Sequence, residues 1–164
     1  MIGKAVQDAI NAQIAHEFYA SYLYLAMSAY FETINLPGFA RWMRAQSEEE
    51  REHAMKFFDY LNDRGGSVEL AAIAQPPGEF QSPLDVFQQA LEHERKVTGL
   101  IHRLYELALK ESDYATQAHL QWFITEQVEE EKNASQVIEQ IKMTGGQPGA
   151  LFVLDRELAA RAAA

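Results

Sequence analysis

The chain has 164 residues, of which 48% are hydrophobic, so we expect a single domain over residues 1–164 with a sizeable core. Its 14 Lys and Arg against 24 Asp and Glu give a formal net charge of -10, which repels nucleic acid and anionic lipid and attracts cations. The lack of cysteine excludes disulfides and thiolate sites and favours a reducing compartment. We expect no secretory signal, since the first residues include acidic Asp8 and lack an apolar core, and no apolar run reaches the roughly 20 residues that span a bilayer. We therefore expect a cytoplasmic protein without nucleic-acid or membrane partners.

Helix-breaking residues are confined to four places, and the long stretches between them carry apolar residues with a period near 3.6. This pattern predicts an all-α chain with four long helices and a short fifth one. The expected bounds are Lys4 to Ile34, Gly38 to Arg64, Ser82 to Lys110, Tyr114 to Thr144 and Ala150 to Ala160.

The connections predict how these helices pair. Tight turns near residues 35 and 112 join the first four helices into two antiparallel hairpins. The 15-residue segment 67–81 between the hairpins contains Pro76, Pro77 and Gly78 and has little helical periodicity. At up to about 3.5 Å per residue, this segment can reach about 50 Å, which is the length of a bundle. We therefore expect a four-helix bundle with one long crossover.

Polar residues interrupt the apolar stripe of each long helix. In the first helix, Glu17 lies seven residues from both Ile10 and Tyr24, so it falls in the seam that faces the core. Glu94 interrupts the third helix in the same way. The residues that interrupt the second and fourth helices are Glu50, His53, Gln127 and Glu130.

An internal repeat places these polar residues at one level of the bundle. A separation of 77 residues relates Glu17 to Glu94, Glu50 to Gln127 and His53 to Glu130. Glu17 lies about as far before the turn near residue 35 as Glu50 and His53 lie after it. Glu94 has the same relation to Gln127 and Glu130 about the turn near residue 112, so all the groups are expected to meet at one height of the bundle. The same offset pairs Glu49 with Glu126 and Glu52 with Glu129, which extends the acidic cluster outward.

Four converging carboxylates with one histidine need a positive counter-ion. Burying an unpaired carboxylate is costly, and the rows that carry these residues contain no Lys or Arg. A metal of high charge is the economical solution. Oxygen-rich ligation with one imidazole suits iron or manganese better than a closed zinc site, and carboxylates can bridge two ions. The pattern therefore favours a di-iron centre.

With these motifs, the sequence resembles a prokaryotic non-haem ferritin over essentially its whole length. The resemblance implies a ferritin-like four-helix bundle with one long crossover and a short fifth C-terminal helix. It also implies iron storage and detoxification by a ferroxidase, which binds two Fe(II) and oxidises them with O2 or H2O2. The Fe(III) would collect as a ferric oxide mineral inside a homo-oligomeric shell of 24 subunits. No haem is expected.

The resemblance assigns ligands to the two irons. It implies that Glu17, Glu50 and His53 hold the first iron. Glu50, Glu94 and Glu130 would hold the second, with Glu50 bridging the two. A symmetric bundle of this kind would carry Glu-x-x-His twice, whereas here the second pair is replaced by Gln and Glu. One iron site is thus poorer in ligands and less suited to a permanent cofactor.

The resemblance gives further residues a place near the centre. Gln127 would lie beside it, and Tyr24 would form a hydrogen bond near it and supply an electron, with an ordinary core tyrosine as the alternative. A third iron site would use Glu130 together with Glu49, Glu126 and Glu129. The alternative for these last three is a solvated acidic face.

Other di-iron families fit the residues less well. A bacterioferritin is expected to carry His at the position of Glu130 and a haem-ligating Met at that of Glu52, and both are absent. A rubrerythrin-like peroxidase adds a Cys-containing iron domain, which a chain without cysteine cannot supply. A miniferritin splits its site between subunits, whereas the ligands here are expected to converge within one bundle. A non-storage di-iron oxidase or peroxidase and a purely structural helical assembly protein stay as alternatives, although a structural subunit is expected to lose these ligands.

One stretch differs from the pattern of animal ferritins, which place acidic residues early in the fourth helix to line threefold pores. Here residues 114–120 contain no carboxylate, so the route by which iron enters stays open. Residues outside the ligand pattern are interpreted as surface or structural histidines (His16, His93, His102, His119) and as solvated charges (Glu48, Arg51, Glu52, Glu131).

Overall fold

The computed structural model describes residues 1–163 and contains helices and no strand over that range. The helices are α1 (Lys4–Thr33), α2 (Pro37–Asp63), α3 (Pro83–Lys110), α4 (Tyr114–Met143) and α5 (Pro148–Ala159), followed by a 3-10 turn over Ala160–Ala163. The predicted all-α fold is confirmed. The bounds agree with the prediction to within one residue, except that α5 begins two residues earlier because Pro148 suits the first turn of a helix. None of the described helices combines the length and apolar character needed to cross a membrane.

Two hairpins build the bundle, as predicted. Helix α1 packs along α2 and α3 along α4, while α1 also contacts α3, and α5 packs on α2. The connection between the hairpins follows α1: Asn11 near its start exchanges hydrogen bonds with Ser67 and Glu69, each at 2.9 Å. Near the end of α1, Tyr30 packs against Phe80 at a ring separation of 5.4 Å. The connection is therefore a crossover along the bundle.

The two hairpin turns are built alike. Asn35 (φ 62°) and Ser112 (φ 53°) both adopt the left-handed conformation, and they are separated by the same 77 residues as the polar pairs. The following amides donate to carbonyls five residues back, Leu36 to Phe31 at 3.0 Å and Asp113 to Ala108 at 2.9 Å. These bonds close the helix ends by the same geometry. The repeat read from the polar residues thus extends to the backbone of the turns.

Helix α5 docks on the first turn of α2. The Asp155 carboxylate accepts a hydrogen bond from the Phe39 backbone amide at 2.9 Å, so α5 supplies the cap that Leu36, at the helix end itself, does not provide. Gly38 is required here because a Cβ on it would lie 1.7 Å from the Asp155 carbonyl oxygen. Removing a side chain from α2 therefore allows the two helices to approach closely.

A polar layer divides the apolar core into two clusters. One cluster contains the second half of α1, the first halves of α2 and α3, the end of α4 and residues of α5. The other contains the opposite halves of the four long helices. The residues between the clusters include the polar ones of the 77-residue repeat, beginning with Glu17 between Ile14 and Ala20 on α1.

The end of α2 is tied to the start of α4 by an ion pair. Both oxygens of Asp113 accept hydrogen bonds from the Arg64 guanidinium, at 2.9 and 3.2 Å. One of them also caps α4 by accepting from the Thr116 amide at 3.0 Å. Burial acts to raise the pKa of Asp113, but the bonds from Arg64 and Thr116 outweigh it and lower the pKa below 3.8.

Replacing Asp113 is expected to destabilise the bundle through two separate losses, that of the helix cap and that of the charged bonds to Arg64. Asp113→Ala removes the cap, worth about 0.5–2 kcal/mol, and also the charged bonds to Arg64. Asp113→Asn keeps a capping oxygen and loses only the charge, so its loss should be smaller. Because the pKa is lowered in the folded chain, the advantage of wild type over Asp113→Asn exists at neutral pH and disappears as pH falls through that pKa. Calorimetry measures both effects, with the exposed Asp63→Ala as control.

Candidate metal centre

The polar layer contains the five side chains that the sequence analysis predicts as ligands of the di-iron centre. Glu17 comes from α1, Glu50 and His53 from α2, Glu94 from α3 and Glu130 from α4. All five are between 1% and 4% exposed. Because each helix enters the layer between two apolar clusters, packing above and below fixes the height of every one of these side chains.

The ligand atoms of these residues form two adjoining groups. In each group, one nitrogen or oxygen per residue lies within 4.8 Å of the others; the groups are Glu17, Glu50 and His53, and Glu50, Glu94 and Glu130. Glu50 belongs to both groups and is therefore shared between them. The first group offers an imidazole nitrogen, whereas the second offers only carboxylate oxygens.

Burial raises the pKa of three of these carboxyl groups, Glu50, Glu94 and Glu130. Burial, with repulsion from neighbouring carboxylates, raises the pKa of Glu94 to about 7 and that of Glu130 to about 9. The same causes raise the pKa of Glu50 well above its usual 4.5. A cation that binds among these groups stabilises their charged forms and must displace their protons.

The layer has no positive side chain of its own. Among residues 1–161, whose side chains the structure describes, none of the buried polar or charged residues is Lys or Arg. His53 Nδ1 lies 3.2 Å from Glu50 Oε2 and 4.0 Å from Glu17 Oε2, and that Glu17 oxygen is buried without a hydrogen-bond donor. A set of hard oxygen donors with an unsatisfied oxygen fits one or two multivalent cations.

Three buried amides hold the carboxylates in place. Gln127, predicted beside the centre, donates to Glu94 Oε2 at 3.1 Å and to the Glu94 carbonyl at 3.2 Å. Gln13 donates to Glu17 at 3.0 Å, and Gln46 donates to Oε1 of Glu50 at 3.2 Å and to Oε2 of Glu130 at 2.5 Å. Neither of these two glutamines was predicted from the sequence. A usable signal existed, since each lies four residues before a buried Glu and therefore on the same helix face.

Tyr24 contacts the centre from the side of the α1–α3 contact. Its hydroxyl donates to Oε1 of Glu94 across the bundle. Burial, followed by the charges of nearby carboxylates, raises the pKa of Tyr24 well above 10, so the hydroxyl keeps its proton and acts as a donor. This contact sets Tyr24 apart from a core tyrosine that only fills space.

Of the three outer carboxylates predicted for a third iron site, only Glu126 lies in a candidate ligand group among the described residues. Glu126 joins His53 and Glu130 in a third group whose ligand atoms lie within 4.8 Å of one another. Within residues 1–163, neither Glu49 nor Glu129 belongs to such a group. Glu129 is exposed, and Glu49 instead accepts a hydrogen bond at 3.1 Å from an arginine of the C-terminal turn.

Sequence comparison assigns the family. A family sequence model described as "Ferritin-like domain" matches residues 7–144. The chain belongs to the ferritin family. It is 43% identical to a bacterial non-heme ferritin of Bacteroides fragilis, over 98% of this chain and 100% of the relative. It is also 42% identical to one from Staphylococcus saprophyticus, over 98% and 96% of the two chains.

Solved ferritin structures have the same fold. An open pore ferritin from the hyperthermophilic archaeon Archaeoglobus fulgidus superposes with a TM-score of 0.96 at 47% identity, covering 97% of this chain and 98% of that one. The predicted resemblance to ferritins and the four-helix bundle with a short C-terminal helix are both confirmed.

The remaining histidines of this ferritin family member stand apart from the carboxylates. None of His16, His93, His102 and His119 belongs to a candidate ligand group in the described part of the chain. His119 stacks on Tyr60 at 3.9 Å, and His93 packs 5.8 Å from Tyr19. Burial lowers the pKa of both histidines to about 4, so they are neutral packing groups at physiological pH.

The chelator-treated protein is expected to lose stability as pH rises from about 5 to about 8. The folded chain keeps the Glu94 proton up to about pH 7 and the Glu130 proton up to about pH 9, whereas an unfolded chain with carboxyl pKa values near 4.5 has lost most of both above about pH 5. The free energy of unfolding therefore falls, by up to about 1.4 kcal/mol per pH unit for each group. Denaturant unfolding followed by circular dichroism measures the slope, and added divalent metal should reduce it.

The Glu130→Gln variant tests the source of this slope. Because it removes a carboxyl whose pKa is about 9, stability should change less with pH than in wild type. Glu139→Gln, at a carboxylate that is 65% exposed on the same helix, should leave the slope unchanged. A chelated wild-type protein that became more stable between these pH values would contradict the raised pKa values.

Proposed function

We propose that this chain stores iron: it binds two Fe(II) in the bundle core, oxidises them and deposits the product as a ferric oxide mineral inside a shell of its own copies. The supporting observation is the buried layer of four carboxylates and one imidazole, each between 1% and 4% exposed. Membership of the ferritin family and the name non-heme ferritin, carried by relatives that match 98% of the chain, support iron as the metal.

The two adjoining groups supply two iron positions. Glu17, Glu50 and His53 would hold the first, and Glu50, Glu94 and Glu130 the second, with Glu50 shared. The imidazole serves only the first position. The second position is held by carboxylates alone, which suits an ion that is bound, oxidised and passed on.

The oxidation balances with either oxidant. Two Fe(II) ions release two electrons as they become Fe(III). These electrons reduce O2 with two protons to H2O2, or H2O2 with two protons to two waters. The carboxyl protons that iron displaces from the layer lie close to where the reduced oxygen needs them.

Other residues would support the passage of iron. Tyr24 can supply a further electron, since its hydroxyl bonds directly to the proposed ligand Glu94. Gln127 would position that same ligand through its amide. Glu126, with Glu130, would begin a third iron site, to which Glu49 and Glu129 would contribute on the way out. We expect this to occur in the cytoplasm of the cell, without haem.

The purified protein is expected to oxidise about two Fe(II) per chain in an initial fast phase in air. Glu17→Ala with Glu50→Ala removes ligands from both proposed positions and should slow this phase by at least about 100-fold. Stopped-flow absorbance of the ferric product, calibrated against chain concentration, measures both the rate and the stoichiometry.

Glu48→Ala with Glu52→Ala is the matched control for the ferroxidase assignment. Both residues are exposed on α2 beside Glu50, so the variant loses the same number of carboxylates as the test variant and should oxidise iron at the wild-type rate. Wild-type oxidation by the Glu17→Ala, Glu50→Ala variant would remove the basis of the proposal.

A shell of 24 chains of 18.6 kDa has a mass of about 450 kDa. Size-exclusion chromatography with light scattering should therefore give a single particle near this mass. Electron microscopy then distinguishes a closed shell from one with open pores, as in the structure described as an open pore ferritin from Archaeoglobus fulgidus. A monomer or dimer at every salt concentration would favour a small di-iron oxidase over storage.

A further inference from the structure

The C-terminal turn brings a cation to the edge of the metal centre. Arg161 follows α5 in a 3-10 turn that packs against α2. Its Nη2 donates to Gln46 Oε1 at 2.7 Å and to Glu49 Oε2 at 3.1 Å. Its guanidinium carbon lies 4.1 Å from the centre of the Trp42 ring. Three side chains of α2 therefore hold this guanidinium in one position.

The docking of α5 sets that position. Asp155 caps α2, and Leu154 and Leu158 are buried in the apolar cluster on the same side of the layer. Arg161 follows Leu158 by three residues, so its backbone starts from an anchored helix. The Arg161 side chain is consequently only 23% exposed.

Arg161 also fixes how Gln46 faces the metal centre. Because the guanidinium occupies Oε1 of Gln46, the amide nitrogen must point to the core, where it donates to Glu50 and Glu130. The reversed amide would set an oxygen against two carboxylates and an NH2 group against a guanidinium. The arginine is thus linked through one amide to two proposed iron ligands.

Glu49 is the carboxylate that Arg161 engages. Its side chain is 43% exposed and bonds to Arg161, and its charge helps to raise the pKa of Glu130, so it lies near the proposed second iron position. A cation that leaves this position toward Glu49 meets a carboxylate that is already neutralised by a guanidinium. An arginine stays charged at any working pH, so an arriving ion has to displace it.

We propose that Arg161 is a positioning residue that competes with a third metal ion for Glu49 and thereby weakens cation binding just outside the di-iron centre. This rests on the proposed function, since it concerns the ion that leaves that centre. Weak binding at Glu49 favours onward movement of iron to the mineral over its retention beside the ligands.

The test is a titration of the chelator-treated, full-length protein with Zn(II), which does not undergo redox chemistry. Isothermal calorimetry gives the affinity of the first two ions and of a third ion per chain. Arg161→Gln should bind the third ion at least about tenfold more tightly than wild type, because Glu49 is then free to act as a ligand. The first two ions should change much less.

Arg156→Gln is the matched control, since it makes the same change in charge on the same C-terminal segment. Arg156 is exposed and lies over the exposed Phe152 ring at 5.2 Å. Its third-ion affinity should stay within about twofold of wild type. Arg161→Lys keeps a positive charge near Glu49, so its affinity for the third ion should stay close to the weak wild-type affinity.

A Glu49→Gln background shows whether the effect acts through this carboxylate. There, the additional Arg161→Gln change should alter third-ion affinity by less than about twofold, which is the signature of coupling between the two residues. Circular dichroism and particle size check that each variant folds and assembles.

The outcomes separate the two proposals. Fewer than two Zn(II) ions per wild-type chain would overturn the di-iron function, and the Arg161 proposal with it. Two ions with no third ion in Arg161→Gln, or with equal third-ion affinities in Arg161→Gln and Arg156→Gln, would overturn the role of Arg161 alone.

Discussion

The burial of four carboxylates in one layer of a helical bundle is the constraint on which the rest of the structure depends. Burial and mutual repulsion raise the pKa of Glu50, Glu94 and Glu130, and no buried Lys or Arg offsets this among residues 1–161. The layer therefore needs either protons or a metal ion. Two apolar clusters enclose the layer and supply the packing energy that offsets this cost. The same packing holds the carboxylates close together, which makes the layer a site.

Hydrogen bonds then make the two halves of the layer unequal. One half has His53 with Glu17 and Glu50, whereas the other has only carboxylates and is held by amides of Gln46 and Gln127. An amide that positions a carboxylate leaves one fewer ligand for metal than an imidazole in its place. This inequality, together with the engagement of the neighbouring Glu49 by an arginine, is consistent with a centre through which ions pass.

The 77-residue repeat was the main basis for predicting the metal centre from the sequence. It identified the polar residues that share the layer, whereas the pairing of the helices came from the lengths of the connections. The left-handed turns at Asn35 and Ser112 follow the same repeat, although it was not used to predict them. It did not reveal Gln13 and Gln46, because the positions 77 residues later are Ala90 and Phe123. Their signal is local instead, since each lies four residues before a carboxylate of the layer and so on the same helix face.

Sequence alone determined the helices, the crossover and the level at which the carboxylates meet, because these follow from periodicities within single helices and from connection lengths. The family came from the resemblance of the motifs, which the comparisons confirmed. Tertiary structure decided which groups touch across helices: Tyr24 with Glu94, Gln46 with Glu130, and Arg161 with Glu49. Residues 112 positions apart in the chain carry no local signal of their contact. It arises only once α5 docks on α2, where Gly38 permits the close approach and Asp155 supplies the cap.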